Sequence, residues 1–169
     1  CIVGTFNVLQ AMRKTKLKKI IFSSTGAVYG DLCLEVATSE SAGPLMPIST
    51  YAAGKIGSEA LISAFSHLYK IQAWIFRFGN VIGARMTHGV IFDFIHNLRK
   101  NPKELLIRGD GTQEKNYFLV EECIDGMAWT FRNIGLSGDI PCDIFNLGTA
   151  TVTKVTDIAE IVKEELEFK

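Results

Sequence analysis

Lys19-Ile20-Ile21-Phe22-Ser23 is a short apolar run with two adjacent isoleucines, bounded by polar residues. Ile71–Phe76 (IQAWIF) is a second segment of this kind. Such runs, without regular polar alternation, are typical of strands buried on both faces of a parallel sheet. Between them, from about Ser49 to Tyr69, small and apolar residues fall on one face of a predicted helix: Ala53, Ile56, Gly57, Ala60, Ala64 and Leu68.

The same alternation extends in both directions from this unit. Residues 2–14 have helical periodicity and end in the basic segment Arg13–Lys16, which suits the negative end of a helix dipole. We predict a loop through Ile48, helices over 90–98 and 120–131, strands at 105–107, 117–119 and 144–145, a turn at 109–111, and a last helix N-capped by Thr153 and extending to Leu166. Apolar strands alternating with amphipathic helices predict an α/β fold with a parallel sheet covered on both faces.

Composition narrows the possible partners. The chain has 169 residues, the length of one domain with a substantial core, and its 18 basic residues balance 18 acidic ones. Zero net charge gives no electrostatic reason to bind nucleic acid or an anionic membrane. The apolar runs are too short to span a bilayer. The scattered cysteines and histidines form no metal-binding spacing, so we expect no metal and free thiols in a reducing cytoplasm.

In parallel α/β folds, ligands bind beyond the carboxyl ends of the strands. Three polar segments follow predicted strands in this way, namely Ser23-Ser24-Thr25, Phe78-Gly79-Asn80 and Asn146-Leu147-Gly148. The sequence therefore predicts that its functional residues lie among these segments and beside the helix that begins near Ser49.

Tyr51 and Lys55 form a YxxxK pair at the start of that helix. Residues four apart share a helix face, and a nearby ammonium favours the phenolate, which makes a tyrosine usable as a general acid/base. Thr25 supplies a hydroxyl that could hold a substrate alcohol. The alternatives are a solvated helix face for the pair and ordinary turn hydrogen bonding for Ser23, Ser24 and Thr25.

Several motifs occur together and in a familiar order: Phe22–Gly30 (FSSTGAVYG), Pro47–Lys55 (PISTYAAGK), Arg77–Gly83 (RFGNVIG), Gly109–Gln113 (GDGTQ) and Asn146–Gly148 (NLG). With them, the chain resembles the extended short-chain dehydrogenase/reductases, in particular the NAD-dependent nucleotide-sugar epimerases and dehydratases. Thr87–Ile95 is most similar to UDP-glucose 4-epimerase-like members.

The resemblance implies part of a Rossmann-like, doubly wound parallel sheet with interleaved substrate-binding segments. Residues 1–82 and 116–148 would form the C-terminal part of the cofactor domain. Residues 83–115 and 149–169 would belong to the substrate-binding subdomain. NAD would be the cofactor and a UDP-sugar the favoured substrate.

The resemblance also implies roles for individual residues. Tyr51 would be the general base, Lys55 would bond the nicotinamide ribose, and Thr25 would hold the reacting sugar hydroxyl. Ser23, Ser24, Phe78 and Gly79 would line the cofactor site, and Asn80, Val90 and Lys115 would contact the nucleotide sugar. Lys115 stands where the family usually has an arginine, and Asn116 replaces a usual aspartate; the alternative for Lys115 is an exposed strand-end lysine.

One departure from the family pattern bears on the reaction. The 4,6-dehydratases usually have an Asp-Glu pair directly after the threonine, whereas this chain has Gly26 and Ala27, which cannot transfer protons. The resemblance therefore favours 4-epimerase-type hydride chemistry. A reductase, dehydratase or decarboxylase of the same family stays open. So does a non-catalytic nucleotide-binding relative, although Thr25, Tyr51 and Lys55 argue against it.

A dinucleotide-binding fold should carry a glycine-rich turn after its first strand, but GxGxxG and GxxGxxG are absent from the sequence. The resemblance places Cys1 in the middle of the cofactor domain, so we expect a fragment that binds NAD poorly by itself. It also implies a homodimer formed through the helices at 2–14 and 51–68, the alternative being that both pack only on the chain's own sheet.

Overall fold

The computed structural model describes residues 1–33, 38–135 and 141–166. In chain order the elements are α1 (Ile2–Thr15), β1 (Lys19–Thr25), a 3₁₀ segment (Gly26–Cys33), α2 (Thr50–Tyr69), β2 (Gln72–Phe78), β3 (Asn80–Ile82), α3 (Val90–Lys100), β4 (Glu114–Lys115), β5 (Tyr117–Leu119), α4 (Val120–Asn133), β6 (Cys142–Leu147), β7 (Thr153–Lys154) and α5 (Val155–Glu165). They form two compact units, Cys1–Gly79 with Ile124–Leu147 and Asn80–Cys123 with Gly148–Lys169. The predicted α/β class is confirmed.

The first unit contains a parallel sheet in the order β1-β2-β6. Successive side chains of β2 point to opposite faces, as strand geometry requires. Ala73 and Ile75 face α1 and α2, where the core also contains Leu9, Met12, Ile62, Phe65 and Ile71. On the other face, the Trp74 ring lies 4.9 Å from the Phe131 ring of α4. Helices therefore cover both faces of β2, which explains its nearly continuous apolar sequence.

The second unit has two small sheets and a helical core. β3 pairs in parallel with β5, and β4 pairs antiparallel with β7. The apolar faces of α3 and α5 pack together through Phe94, Leu98, Val155, Ile158, Ala159 and Val162. Each of these helices has an amphipathic pattern, and the buried stripe is the one that the pattern predicts.

Three sequence predictions were wrong. Leu105–Ile107 is not a strand: Leu105 and Ile107 pack against the α3–α5 core, and no strand in the described part of the chain pairs with them. Part of the predicted loop before Ile48 is the 3₁₀ segment, because Val28 and Tyr29 are buried there; residues 34–37 of that loop lie outside the described residues. Thr153 pairs within β7, and Lys154 is the N-cap of α5, without a side-chain capping bond.

Of the helices in the described part of the chain, none is long and apolar enough to cross a membrane. Cys1, Cys123 and Cys142 carry free thiols; the side chain of Cys33 lies outside those described. Burial raises the pKa of the Cys142 thiol to about 11. This thiol is therefore protonated, and unreactive, at neutral pH.

Candidate active site

The start of α2 sets the position of Tyr51. Ser49 is the N-cap, and its hydroxyl accepts a hydrogen bond from the Ala52 N–H at 3.1 Å. This cap satisfies one of the free N–H groups at the helix start and fixes where the helix begins. Tyr51 consequently lies in the first turn, with 54% of its surface exposed. Its phenol is open to a ligand.

Lys55 lies one turn after Tyr51, and its ammonium reaches the end of β1. Nζ donates a hydrogen bond to the Ser23 carbonyl oxygen at 2.6 Å. The same nitrogen is 5.7 Å from the centre of the Tyr51 ring and 5.0 Å from that of Phe22. The structure therefore brings Tyr51, Lys55 and Ser23 together around one cation.

The carboxyl edge of the sheet carries three more predicted residues. Thr25 is the last residue of β1 and pairs with Phe78, the last residue of β2. The Thr25 Oγ1 accepts a hydrogen bond from the Ala27 N–H at 3.2 Å, which leaves its own O–H available as a donor. The Gly79 N–H donates to the Leu147 carbonyl at 3.0 Å, so the chain stays attached to β6 just beyond β2.

Asn80, Val90 and Lys115 belong to the second unit. The Asn80 side chain donates to the Asn116 carbonyl oxygen at 3.0 Å. Val90 is the first residue of α3 and is half-buried. Lys115 is exposed in the two-residue strand β4, opposite Thr153.

Ser24 differs from its neighbours because its side chain points into the protein. It is 3% exposed, and its hydroxyl donates to Oε1 of Glu59. Arg77 donates two hydrogen bonds to the same carboxylate, from Nε to Oε1 at 3.2 Å and from Nη2 to Oε2 at 2.7 Å. This is a bidentate pair with both side chains almost fully buried.

The network continues from Arg77 to β6. Nη1 of Arg77 donates to the Tyr29 hydroxyl at 2.9 Å and to the Glu40 carbonyl at 3.2 Å. The Tyr29 hydroxyl in turn donates to Oδ1 of Asn146 at 2.7 Å. Burial opposes the charged guanidinium, yet the hydrogen bonds from Arg77 to Glu59 and Tyr29 raise its pKa above the ordinary value.

Sequence reasoning missed this network, although it left two signals. Glu59 lies four residues after Lys55, on the same stretch of helix face, and Arg77 is the one charged residue of β2. A charge within a buried strand requires a partner, so Arg77 alone indicated a buried acid elsewhere.

The donor set at Lys55 is compatible with a cofactor ribose. A lysine ammonium has three N–H donors, and the bond to Ser23 uses one of them. Those that remain could bind neighbouring ribose hydroxyls beside the exposed Tyr51 phenol. Among the side chains that the structure describes, no group of three or more His, Cys, Asp or Glu could hold a metal ion.

Two curated proteins are similar to this chain over nearly its whole length. A Methanocaldococcus jannaschii protein provisionally named UDP-glucose 4-epimerase is 33% identical, over 99% of this chain and 53% of its own length. The dTDP-D-glucose 4,6-dehydratase of Dictyostelium discoideum is 28% identical, over 94% of this chain and 38% of its own length. The chain thus spans about half, or less, of the length of these curated relatives.

Solved structures give the same result for the fold. The crystal structure of a UDP-galactose 4-epimerase has a TM-score of 0.89 and 34% identity, covering 99% of this chain and 54% of the other. UDP-glucuronic acid 4-epimerase from Bacillus cereus, in complex with UDP-glucuronic acid and NAD, has a TM-score of 0.86 and 27% identity, over 99% of this chain and 52% of the other. The family model for the NAD dependent epimerase/dehydratase family matches residues 2–148. The chain belongs to this family.

Proposed function

We propose that the chain carries the proton-transfer residues of a nucleotide-sugar 4-epimerase. The observation that supports the proposal is the position of Lys55, whose ammonium bonds the end of β1 and lies 5.7 Å from the centre of the exposed Tyr51 ring. A phenol held beside a cation at the carboxyl edge of a parallel sheet is suited to general acid/base work.

In the proposed reaction, Tyr51 Oη takes the proton of the sugar 4-hydroxyl and later returns it. NAD, when bound, supplies the hydride acceptor and donor at sugar C4. The Thr25 O–H donates a hydrogen bond to the same sugar oxygen and keeps it near the phenol. Lys55 holds the cofactor ribose and keeps positive charge beside the phenolate. The 4-keto sugar formed in between returns to either configuration at C4.

The remaining predicted residues receive binding roles in this proposal. Residues 1–82 and 116–148 would contribute to the cofactor domain, and residues 83–115 and 149–169 to the substrate-binding subdomain. Ser23, Ser24, Phe78 and Gly79 would border the cofactor, Ser24 through its backbone because its hydroxyl bonds Glu59. Asn80, Val90 and Lys115 would contact the nucleotide sugar, with a UDP-sugar favoured. We propose that the protein acts in the cytoplasm, on free nucleotide sugars. Cell fractionation followed by detection of the protein tests this location.

The choice of epimerase over dehydratase rests on this chain's own residues, since its relatives include both. Dehydration across C5 and C6 requires an acid and a base at the sugar, and Gly26 and Ala27 provide neither. The second candidate is a reductase or decarboxylase of the same family. The third is a non-catalytic nucleotide-binding relative, for which a tyrosine beside a bound ammonium has no use.

The test is Tyr51→Phe in the full-length protein, assayed by interconversion of UDP-glucose and UDP-galactose, with products separated by chromatography. We expect kcat to fall by about 10²- to 10⁴-fold, the usual contribution of a positioned acid/base. Tyr69→Phe, a matched change at the other end of α2, should leave kcat unchanged. Undiminished turnover in Tyr51→Phe would refute the proposed role. A different product from the unaltered protein would favour the second candidate, and nucleotide-sugar binding without turnover the third.

We also infer a homodimer, because α1 presents apolar side chains to solvent. Ile2, Val3 and Phe6 are all exposed on this helix, which packs against α2. Val3, 72% exposed, is the best position for a charge. Val3→Asp should convert a dimer to a monomer in sedimentation velocity, whereas Leu106→Asp, at an equally exposed leucine of the second unit, should not. A monomeric wild type at micromolar concentration would refute the inference.

A further inference from the structure

We propose that Ser24, Glu59 and Arg77 form a positioning device for the proton-transfer residues, here called the buried bridge. This inference rests on the proposed function, since it gives the bridge the task of holding α2 in register with the end of β1. None of the three side chains is placed to touch a substrate, because all are nearly fully buried. They would act through Lys55 and Thr25.

The position of the bridge supports this role. Ser24 lies between Ser23, whose carbonyl binds Lys55, and Thr25, which ends the strand. Glu59 lies one helical turn after Lys55. Two hydrogen bonds therefore join α2 to adjacent residues of β1, one near the surface from Lys55 and one in the interior to Glu59.

Two anchors one turn apart prevent the helix from sliding or rotating. One residue of helix corresponds to about 1.5 Å of rise, and a slide of that size would break the bond between Ser24 and Glu59. Misplacement of a catalytic group by about 1 Å costs on the order of a hundredfold in rate. The Lys55 bond alone leaves a flexible four-carbon side chain to set the distance. The bond from Ser24 to Glu59 is the stiffer constraint, because the glutamate side chain is shorter and Arg77 also holds it.

Arg77 makes the constraint directional. Its planar guanidinium binds both carboxylate oxygens of Glu59 and so fixes the plane of the carboxylate toward Ser24. A buried ion pair is weak evidence for stability, because apolar side chains of similar volume often serve as well. Apolar side chains, however, could not fix the orientation of a group that bonds Ser24. The need to orient the Glu59 carboxylate therefore explains why a charged pair is buried here.

The test uses the full-length protein with Ser24→Ala, which removes the bond to β1 and leaves the Glu59–Arg77 pair intact. Ser58→Ala is the matched control, since Ser58 is also fully buried, precedes Glu59, and bonds Thr5 and Gly54 but not β1. The first readout is the rate at which acetic anhydride modifies Lys55, followed by mass spectrometry without substrate. The second is kcat and KM for the nucleotide sugar.

We expect Ser24→Ala to raise the acetylation rate of Lys55 at least threefold and to lower kcat about tenfold, with KM changed less than twofold. Ser58→Ala should change none of these, although both variants lower the melting temperature. Equal effects of the two variants, or an unaltered Lys55 in Ser24→Ala, would overturn the inference. If the wild type turned over no nucleotide sugar, the proposed function would fail, and the acetylation rates alone would decide whether the bridge positions Lys55.

Discussion

Arg77→Met should be among the most destabilising single changes in the first unit. The substitution keeps an unbranched apolar stem but removes the guanidinium, and with it both bonds to Glu59 and those to Tyr29 and Glu40. The side chains of Arg77 and Glu59 are only 3% and 7% exposed, so water cannot replace the lost donors. Glu59 would be left as a buried carboxylate with Ser24 as its remaining donor.

The expected cost follows from that burial. Removing one partner of a buried ion pair costs about 3–5 kcal/mol, chiefly because the other charge is left uncompensated. For a chain of this size, 1 kcal/mol corresponds to about 2–4 °C in melting temperature. Arg77→Met should therefore lower the melting temperature by roughly 10–15 °C.

The decisive assay is a double-mutant cycle measured by urea unfolding and circular dichroism. Wild type, Arg77→Met, Glu59→Leu and the double variant are compared at neutral pH. Since the double variant strands neither charge, its loss of unfolding free energy should be smaller than the sum of the single losses by at least about 2 kcal/mol. Additive losses, or a cost below about 1 kcal/mol for Arg77→Met, would refute the reasoning.

Three further changes test other parts of the structure. Gly30→Ala should lower the free energy of unfolding by more than about 2 kcal/mol, because Gly30 has φ +56° and an added Cβ would lie 2.2 Å from the Met46 carbonyl oxygen. An unchanged melting temperature would contradict this backbone conformation at Gly30. Leu9→Ala should cost about 2–5 kcal/mol in urea unfolding, because Leu9 is fully buried, whereas exposed Val8→Ala on the same helix should cost under about 0.5. Burial raises the pKa of Cys142 from 9.0 to about 11, so the folded protein keeps the thiol proton to a higher pH than the unfolded chain does. The thiol therefore contributes at most about 3 kcal/mol to the free energy of unfolding, and this contribution is lost as the pH rises from 9 to 11. The stability difference between wild type and Cys142→Ala should shrink over that interval in urea unfolding, and a constant difference would show that the thiol does not titrate with folding.

The parts of the fold that the sequence predicted are those with a strong local pattern. The strands β1 and β2 and the long helix α2 were predicted in the right places. Two details were wrong: Ser24 is the one buried residue of β1, and α2 buries Ile62 and Phe65 while Leu68 of the predicted face is exposed. The predicted strand at Leu105–Ile107 was wrong because three apolar residues suit either a strand or a loop that covers a core. Only the neighbouring elements decide which of the two forms. Thr153 failed for a similar reason: pairing with Lys115 moved the helix start by one residue.

In the candidate site, too, contacts within one helix could be predicted, whereas contacts between distant residues could not. The pairing of Tyr51 with Lys55 could be predicted because a helix brings residues four apart onto one face. The bond from Lys55 to Ser23 and the pairing of Glu59 with Arg77 join residues 32 and 18 positions apart, and no local spacing encodes them. Spacing within one helix therefore predicts the pairing of Tyr51 with Lys55, whereas the contacts that orient these residues depend on the tertiary fold.

Gly26 shows how the backbone bears on the choice of reaction. A Cβ added there would lie 3.2 Å from the Phe78 carbonyl oxygen, tighter than ordinary van der Waals contact. Any side chain at this position, including the aspartate usual in the dehydratases that the chain resembles, requires one of these two backbone segments to move by a few tenths of an ångström. Phe78 pairs with Thr25, so that shift would reach the residue proposed to hold the sugar hydroxyl. In this chain, an acidic side chain at residue 26 would therefore disturb the end of β1, so the backbone here is built for a residue without a side chain.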